Sequence, residues 1–158
     1  MESLLKKLNY KSGEDIYLSN TPVELLSSFA EISEQGAINV YSDTDKLAKI
    51  DFAILFVQTT TEIEQAIASI AGKFADDPTI WFAYPKSTSK KYKCEFNRDN
   101  GWEVLAQYEL EPVRQVAISA DWSGLRFRLV SNIKTMVRSF ALTEAGKQKV
   151  EQAKRKRK

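Results

Sequence analysis

Five cations and three hydroxyls crowd one short stretch of this chain: Lys86, Lys90, Lys91, Lys93 and Arg98 stand among Ser87, Thr88 and Ser89. Ammonium, guanidinium and hydroxyl groups that converge beside a helix N-terminus suit an anion such as phosphate. A ligand site built there takes in Tyr84, Lys86, Ser87, Ser89, Lys90, Asn97, Arg98 and Trp122. Each has a plainer role open to it. The stretch also reads as a solvated basic loop. Asn97, Asp99 and Asn100 serve either as polar site residues or as caps, with Asn100 and Glu103 spaced as a capping box. Trp102 and Trp122 offer planar faces for stacking. Trp102 falls on an apolar helix face and so fits a core, whereas Trp122 falls in a turn, where an exposed ring lacks a structural reason. Tyr84 and Lys86 carry acid and base groups, but nothing in the sequence activates the lysine, and no catalytic residue is assigned.

The chain has no histidine and a single cysteine, Cys94. Ser-His-Asp and Cys-His catalysis are excluded, because the proton acceptor that titrates near neutral pH is missing. One thiolate without imidazole does not make a zinc site, so neither zinc nor haem is expected, and any metal would be held by oxygen. Arg114, Asp121 and Arg126 form a second charged group, with Arg126 and Arg128 on one strand face; plain salt bridges to Asp121 or Glu111 are the default. The charge is divided unevenly. From residue 134 onward the chain carries nine Lys and Arg against two acidic residues, and the preceding part is mildly acidic. The end, Lys154, Arg155, Lys156, Arg157 and Lys158, suits a nucleic acid or another polyanion through counterion release, or is a solubilising terminus. With Phe140 the one aromatic nearby, such binding would be independent of base sequence and sensitive to salt.

These groups need elements to hold them. Leu4, Leu5 and Leu8 make a short amphipathic turn that Ser12 and Gly13 break, and residues 15–19 read as a first strand. Thr21, Pro22 and Glu24 give a helix start, with Leu25, Leu26, Phe29 and Ala30 at helical spacing. A second strand, 38–41, runs into the acidic loop 43–45. Residues 52–57 are apolar throughout, the pattern of a central parallel strand buried on both faces. Thr61 and Glu64 form a capping box for a helix whose face is Ile63, Ala66, Ile67, Ile70, Ala71 and Phe74, ended by Asp77 and Pro78. A strand at 79–84 precedes the basic loop, and a helix runs from Trp102 to a stop before Pro112. Strands 113–119 and 125–130 are joined by a connection too short for a parallel crossover, hence an antiparallel hairpin. Alternating strands and helices imply a three-layer, Rossmann-like α/β sandwich. Six mostly parallel strands in the order 2-1-3-4-6-5 are expected, strand 6 antiparallel, with 42–50 a short crossover. Residues 1–130 form that domain and 131–158 a basic, helical tail.

Several segments are also familiar: Trp81-Phe82-Ala83-Tyr84-Pro85-Lys86, Ser89-Lys90, Asn97-Arg98-Asp99, Gly101-Trp102-Glu103, Glu111-Pro112-Val113-Arg114-Gln115-Val116-Ala117, Trp122-Ser123 and Leu125-Arg126-Phe127. Together they resemble a bacterial family of short Rossmann-like domains of unknown function, most densely over 79–128. More distantly, the element order is similar to the second half of class I methyltransferases, whose last strands also form an antiparallel hairpin. In those proteins a glycine-rich turn after strand 1 lets the backbone approach the cofactor. Here the turn is Ser19-Asn20-Thr21-Pro22, without glycine, while Asp43 stands where an acidic residue would hold a ribose. The resemblance therefore implies a truncated, non-methylating relative, and with the basic loop the first reading is a non-catalytic or degenerate Rossmann-like domain that binds an anionic or nucleotide-like ligand at the loop after strand 4. An interaction module working through the basic tail on a nucleic acid or protein partner is the alternative, and an S-adenosylmethionine-dependent methyltransferase the third reading. The N-terminus lacks a signal-like apolar stretch, and no run approaches the roughly 18 apolar residues of a membrane span, so a cytoplasmic protein without a membrane partner is expected.

Overall fold

The computed structural model describes residues 2–36, 38–133 and 142–156. Its centre is the apolar run foreseen in the sequence, strand β3 (Ile50–Phe56), flanked in parallel by β1 (Ile16–Ser19) and β4 (Phe74–Pro85). A strand buried on both faces sends alternate side chains into two cores. Ala53, Leu55 and Val57 meet Ile63, Ala66, Ile67 and Ile70 of helix α3 (Thr60–Ile70). Phe52, Ile54 and Phe56 meet Leu5 and Leu8 beside α1 (Glu2–Lys7), and Phe29 and Ile32 of α2 (Val23–Glu34). The Trp81 indole N–H donates to the Leu8 carbonyl at 2.8 Å, fixing α1 to β4. Strand β2 (Val40–Tyr41) pairs with β1, and the hairpin of β5 (Leu110–Ala117) and β6 (Trp122–Leu129) closes the other side. The order is β2-β1-β3-β4-β6-β5, with β6 antiparallel to both neighbours, as the sequence leads one to expect.

The differences lie at element ends. Helix α2 begins after Pro22 with no side-chain cap, so Thr21 does not cap it; the Glu24 carboxylate, expected to fold back, instead accepts from the Tyr92 hydroxyl. The box on α3 is Thr59 with Glu62, two residues before Thr61 and Glu64. Both pairs suit the same helical face, but the Val57 amide still bonds the Ala83 carbonyl across the sheet, so the chain is free to turn at Gln58 and takes the first threonine available. Phe74 opens β4 rather than ending the helix. Ile50 pairs with Phe74 and Phe52 with Thr79, so the residues between them, Asp77 and Pro78 included, form a bulge, where a strand tolerates proline.

The helix expected from Trp102 is a 3-10 turn, Glu103–Tyr108, ended by Glu109 at φ 59°, and Pro112 lies inside β5. Asn100 does not cap it: its side-chain oxygen accepts the Asn97 amide, closing a turn whose Gly101, at φ 94°, has no room for a Cβ, since one would lie 2.5 Å from that of Phe96. Trp122 is not in the hairpin connection but opens β6, buried edge-on against Phe56 at 5.3 Å. The short crossover is managed by another 3-10 turn, Thr44–Lys46, whose amide at Asp45 is taken by Asp43, while the Lys73 ammonium bonds the carbonyls of Thr44 and Leu47.

Helix α4 (Glu144–Lys156) is joined to the sheet through Glu111 of β5. That carboxylate is wholly buried and accepts the amides of Leu142 (2.8 Å) and Thr143 (2.5 Å) and the Thr143 hydroxyl (2.7 Å). The Thr143 oxygen in turn accepts the Gly146 amide, capping α4, and Val150 packs on Val130. A Cβ at Gly146 would sit 2.3 Å from Oε2 of Glu111. Gly146→Ala is therefore expected to cost about 1–3 kcal/mol through overpacking. Amide exchange should quicken over residues 142–150 and stay unchanged in β3; equal protection in both would show that the contact does not hold the helix.

Candidate ligand-binding cleft

Strands β1, β3 and β4 all end at one edge of the sheet, where β6 begins, and ligands of open α/β sheets gather beyond such an edge. The segment 86–98 leaves β4 there and is pinned at three places. Near β6 the Lys86 amide donates to the Asp121 carbonyl at 2.8 Å, and the Ser89 hydroxyl to the Asp121 carboxylate at 2.8 Å. At α3, the Glu95 amide donates to the Gln58 carbonyl, and the Glu95 carboxylate accepts the Thr60 amide at 2.8 Å. At α2, the Tyr92 hydroxyl and the Lys91 ammonium both reach Glu24, at 2.8 and 3.5 Å, and the Tyr92 ring lies 4.9 Å from that of Trp122. The segment is thus a strap across the strand ends, with its own carboxylate at the first turn of α3.

Between the strap and β5 lies a cleft of about 640 Å³. Tyr84, Lys86, Ser87, Ser89, Asn97 and Arg98, six of the eight residues expected to bind a ligand, line it. Lys90 and Trp122 do not: Lys90 is exposed on the strap, and Trp122 lies beneath Tyr92. Lys86, Lys93 and Arg98 bring positive charge to the wall, and none forms an ion pair among the described residues. Gln115, which sequence reasoning passed over as a site residue, reaches in from β5 and donates to the Tyr84 hydroxyl at 2.8 Å. Its one signal was its place in the familiar run 111–117. A smaller cavity of about 280 Å³, walled by Trp102, Pro112, Leu125 and Leu142, shares Arg98 and Gln115 with the cleft.

The phenol of Tyr84 is pushed above its usual range by burial, with the Arg98 guanidinium working the other way and Cys94 and Asp99 adding to the rise. Burial raises the Cys94 thiol as well. At neutral pH both groups are protonated, so the cleft offers hydrogen-bond donors and cations rather than a base or thiolate. Asp43 keeps its carboxylate on the Asp45 amide, and Asn20 takes the left-handed φ of 57° in the glycine-free turn after β1. Among the described residues no cluster of three or more His, Cys, Asp or Glu gathers as a metal site, and no helix is long and apolar enough to cross a membrane. Of the basic terminus, Lys154, Arg155 and Lys156 form the end of α4, and Arg157 and Lys158 lie outside the described residues.

No family model matches the chain, and no curated protein matches it. Solved structures do. The pyocyanin biosynthetic protein PhzM aligns over 79% of this chain and 53% of its own, with 7% identity and a TM-score of 0.54. LepI, solved in complex with SAM, aligns over 81% of this chain and 39% of its own, with 14% identity and a TM-score of 0.50. The N-methyltransferase NodS from Bradyrhizobium japonicum WM9 aligns over 81% of this chain and 93% of its own, with 14% identity and a TM-score of 0.49. The chain has a Rossmann-like α/β fold. At such identities the likeness is one of fold, and the residues of the cleft have to be judged by their own chemistry. Arg98→Ala removes the charge that favours the phenolate of Tyr84, so the phenol should titrate higher still; an ultraviolet pH titration that leaves this transition in place would show that Arg98 does not act on Tyr84.

Proposed function

We propose that this chain is a non-catalytic Rossmann-like domain that binds a small anionic, nucleotide-like ligand in the cleft after β4. The observation that carries the reading is the set Lys86, Lys93 and Arg98, three cations without ion-pair partners among the described residues, on one concave wall beside the Ser87 hydroxyl. Cations gathered in a hollow with low-dielectric walls focus a positive potential, and guanidinium and ammonium groups form their strongest hydrogen bonds to phosphoryl and carboxylate oxygens. At about 640 Å³ the cleft falls within the usual size range of small-molecule sites, roughly 300–1,000 Å³. The Gln115 amide and the protonated Tyr84 phenol add neutral polar groups that could orient a base or sugar.

A methyl-transfer reading draws on the fold and on the SAM complex of LepI, whose fold this chain shares at a TM-score of 0.50. Cofactors of this architecture bind where the strand order reverses, here between β1 and β3. In this chain Glu95 already occupies the first amide of α3, and Glu24 of α2 is tied to the strap through Tyr92. The turn after β1 meets any ligand with the side chain of Asn20 where a glycine would leave backbone open. Those contacts favour the cleft beyond β4 over the switch point.

A thermal-shift series with ATP, pyrophosphate, S-adenosylmethionine and S-adenosylhomocysteine tests the choice. A ligand at about 100 times its Kd stabilises by about 2.7 kcal/mol, a shift of roughly 5 to 10 °C for a domain of this size. ATP or pyrophosphate should give that shift, and Lys86→Ala and Arg98→Ala should each weaken binding about tenfold with the fold retained. Undiminished affinity in both variants overturns the cleft as the site, and a shift with the adenosyl compounds alone moves the conclusion to methyl transfer.

A further inference from the structure

The opposite edge of the sheet carries a second basic hollow, remote from the strand ends just described. It has a volume of about 450 Å³ and is walled by Lys6, Tyr10, Lys11, Asp77, Arg126 and Arg128. It lies where β4 begins and β6 ends, since Arg126 pairs with Trp81, four residues beyond Asp77. Alternation along β6 puts Arg126 and Arg128 on one face, and the register sets Arg114 of β5 directly opposite Arg126. Like charges opposed across an antiparallel ladder repel, and among the described residues neither arginine forms an ion pair.

The three guanidiniums are satisfied unequally. Arg114 reaches Asn9 at 3.4 Å, and Arg128 pairs with Asp77 at 2.9 Å. Among the described residues, half-buried Arg126 makes neither an ion pair nor a hydrogen bond, and the Nε atoms of both Arg126 and Arg128 are buried without a partner. Burial, helped by Arg128 and Arg114 and opposed by Asp77 and Glu14, pulls the Arg126 guanidinium below its usual range. Buried donors of this kind are rare unless an ion or water accepts from them. Lys6 and Lys11, both exposed, add charge at the rim without ion pairs among the described residues.

We propose that this hollow is a phosphate-binding site in which the planar fork of Arg126 donates to phosphoryl oxygens while Lys6 and Lys11 neutralise the remaining charge. A phosphoanion there answers the open donors and separates Arg114 from Arg126 electrostatically; a monovalent carboxylate meets the first need with half the charge. The phosphate comes from a free oligophosphate or from a nucleic-acid backbone. Lys149 of the basic helix α4 bonds the carbonyl of Val130, two residues beyond Arg128, so that helix packs beside the same edge.

The test measures tripolyphosphate binding by calorimetry at low salt. Wild-type protein should bind it at two places, one in each hollow; Arg126→Gln should weaken one of the two at least about tenfold and keep the other, whereas Lys86→Ala should weaken only the event in the cleft after β4. Lys6→Ala combined with Lys11→Ala removes charge from exposed positions alone and should weaken binding in the same direction, which decides the matter if Arg126→Gln fails to fold. Displacement of tripolyphosphate by a short single-stranded oligothymidylate, with a steep salt dependence, assigns the site to a nucleic-acid backbone, and failure to displace assigns it to a free oligophosphate. Absence of tripolyphosphate binding, or binding unaltered in the double lysine variant and in any folded Arg126→Gln, overturns the proposal. A single binding event, lost in Lys86→Ala and kept in folded Arg126→Gln, would place the anion in the other cleft alone and overturn it as well, while leaving the proposed function standing.

Discussion

Phe52, Ile54 and Phe56 point to one side of β3, Ala53, Leu55 and Val57 to the other, and all six are buried. A strand with no face left for water obliges the chain to supply covers on both sides, so α3 lies on one and α1 and α2 on the other. Burying each large apolar side chain contributes about 1.5–3 kcal/mol, so this one strand supplies much of the reason the layers stay together. The same demand makes β1, β3 and β4 run parallel, because each must be followed by a segment that crosses a face before the next strand pairs. Parallel strands end at a common edge. Where a ligand can bind is therefore settled by the burial of β3 before any polar residue is considered.

What happens at that edge depends on helix ends. The first amides of α3 need acceptors, and the chain provides them itself: Glu62 takes the amides of Gln58 and Thr59, and Glu95 takes that of Thr60. A helix N-terminus satisfied by two of the protein's own carboxylates has little attraction left for an outside anion. The strap that delivers Glu95 also lays Tyr92 over Trp122 and ties Glu24. Three of its positive residues, Lys86, Lys93 and Arg98, line the cleft against β5, and none of them forms an ion pair among the described residues. One arrangement of a single loop thus closes the region of the strand reversal and opens the region beyond β4.

The strand order was legible because it follows from local features: one unbroken apolar run, two helical faces and a hairpin too short to cross over. Element ends were not, because hydrophobic spacing marks faces and leaves limits open. Three successive threonines gave two capping boxes in phase with one face, and the choice of Thr59 depended on a bond between Val57 and Ala83 across the sheet. Phe74 continued the helical spacing but was taken by pairing with Ile50. Trp102 had the pattern of a helix, yet its indole donates to the Asn97 carbonyl and its ring packs among Tyr84, Phe96 and Phe127, which shortens the element to a turn. In the cleft, composition singled out a loop whose residues line one wall. It did not reveal that Trp122 lies under that loop, or that Gln115 comes from a strand 31 residues away to bond Tyr84. Both are facts of strand pairing, which a local reading does not contain.

Formal charge gave a misleading picture of the body of the molecule, and the reason is chemical. Before residue 134 acidic residues outnumber basic ones, yet the charged residues that line the cleft are all cations, and in the second hollow only Asp77 stands against four of them. The carboxylates are engaged elsewhere, accepting from the backbone and from hydroxyls: Glu14 the Lys11 amide, Asp43 the Asp45 amide, Glu62 and Glu95 the start of α3, Glu111 the residues before α4, and Asp121 the Ser89 hydroxyl. An acceptor-only group is suited to turns and helix starts, where amides lack partners. Lysine and arginine have donors alone and find fewer openings there, and Lys86, Lys93, Arg98 and Arg126 form no ion pair among the described residues. A net negative count is compatible with anion binding when the negative groups are already committed to holding the fold.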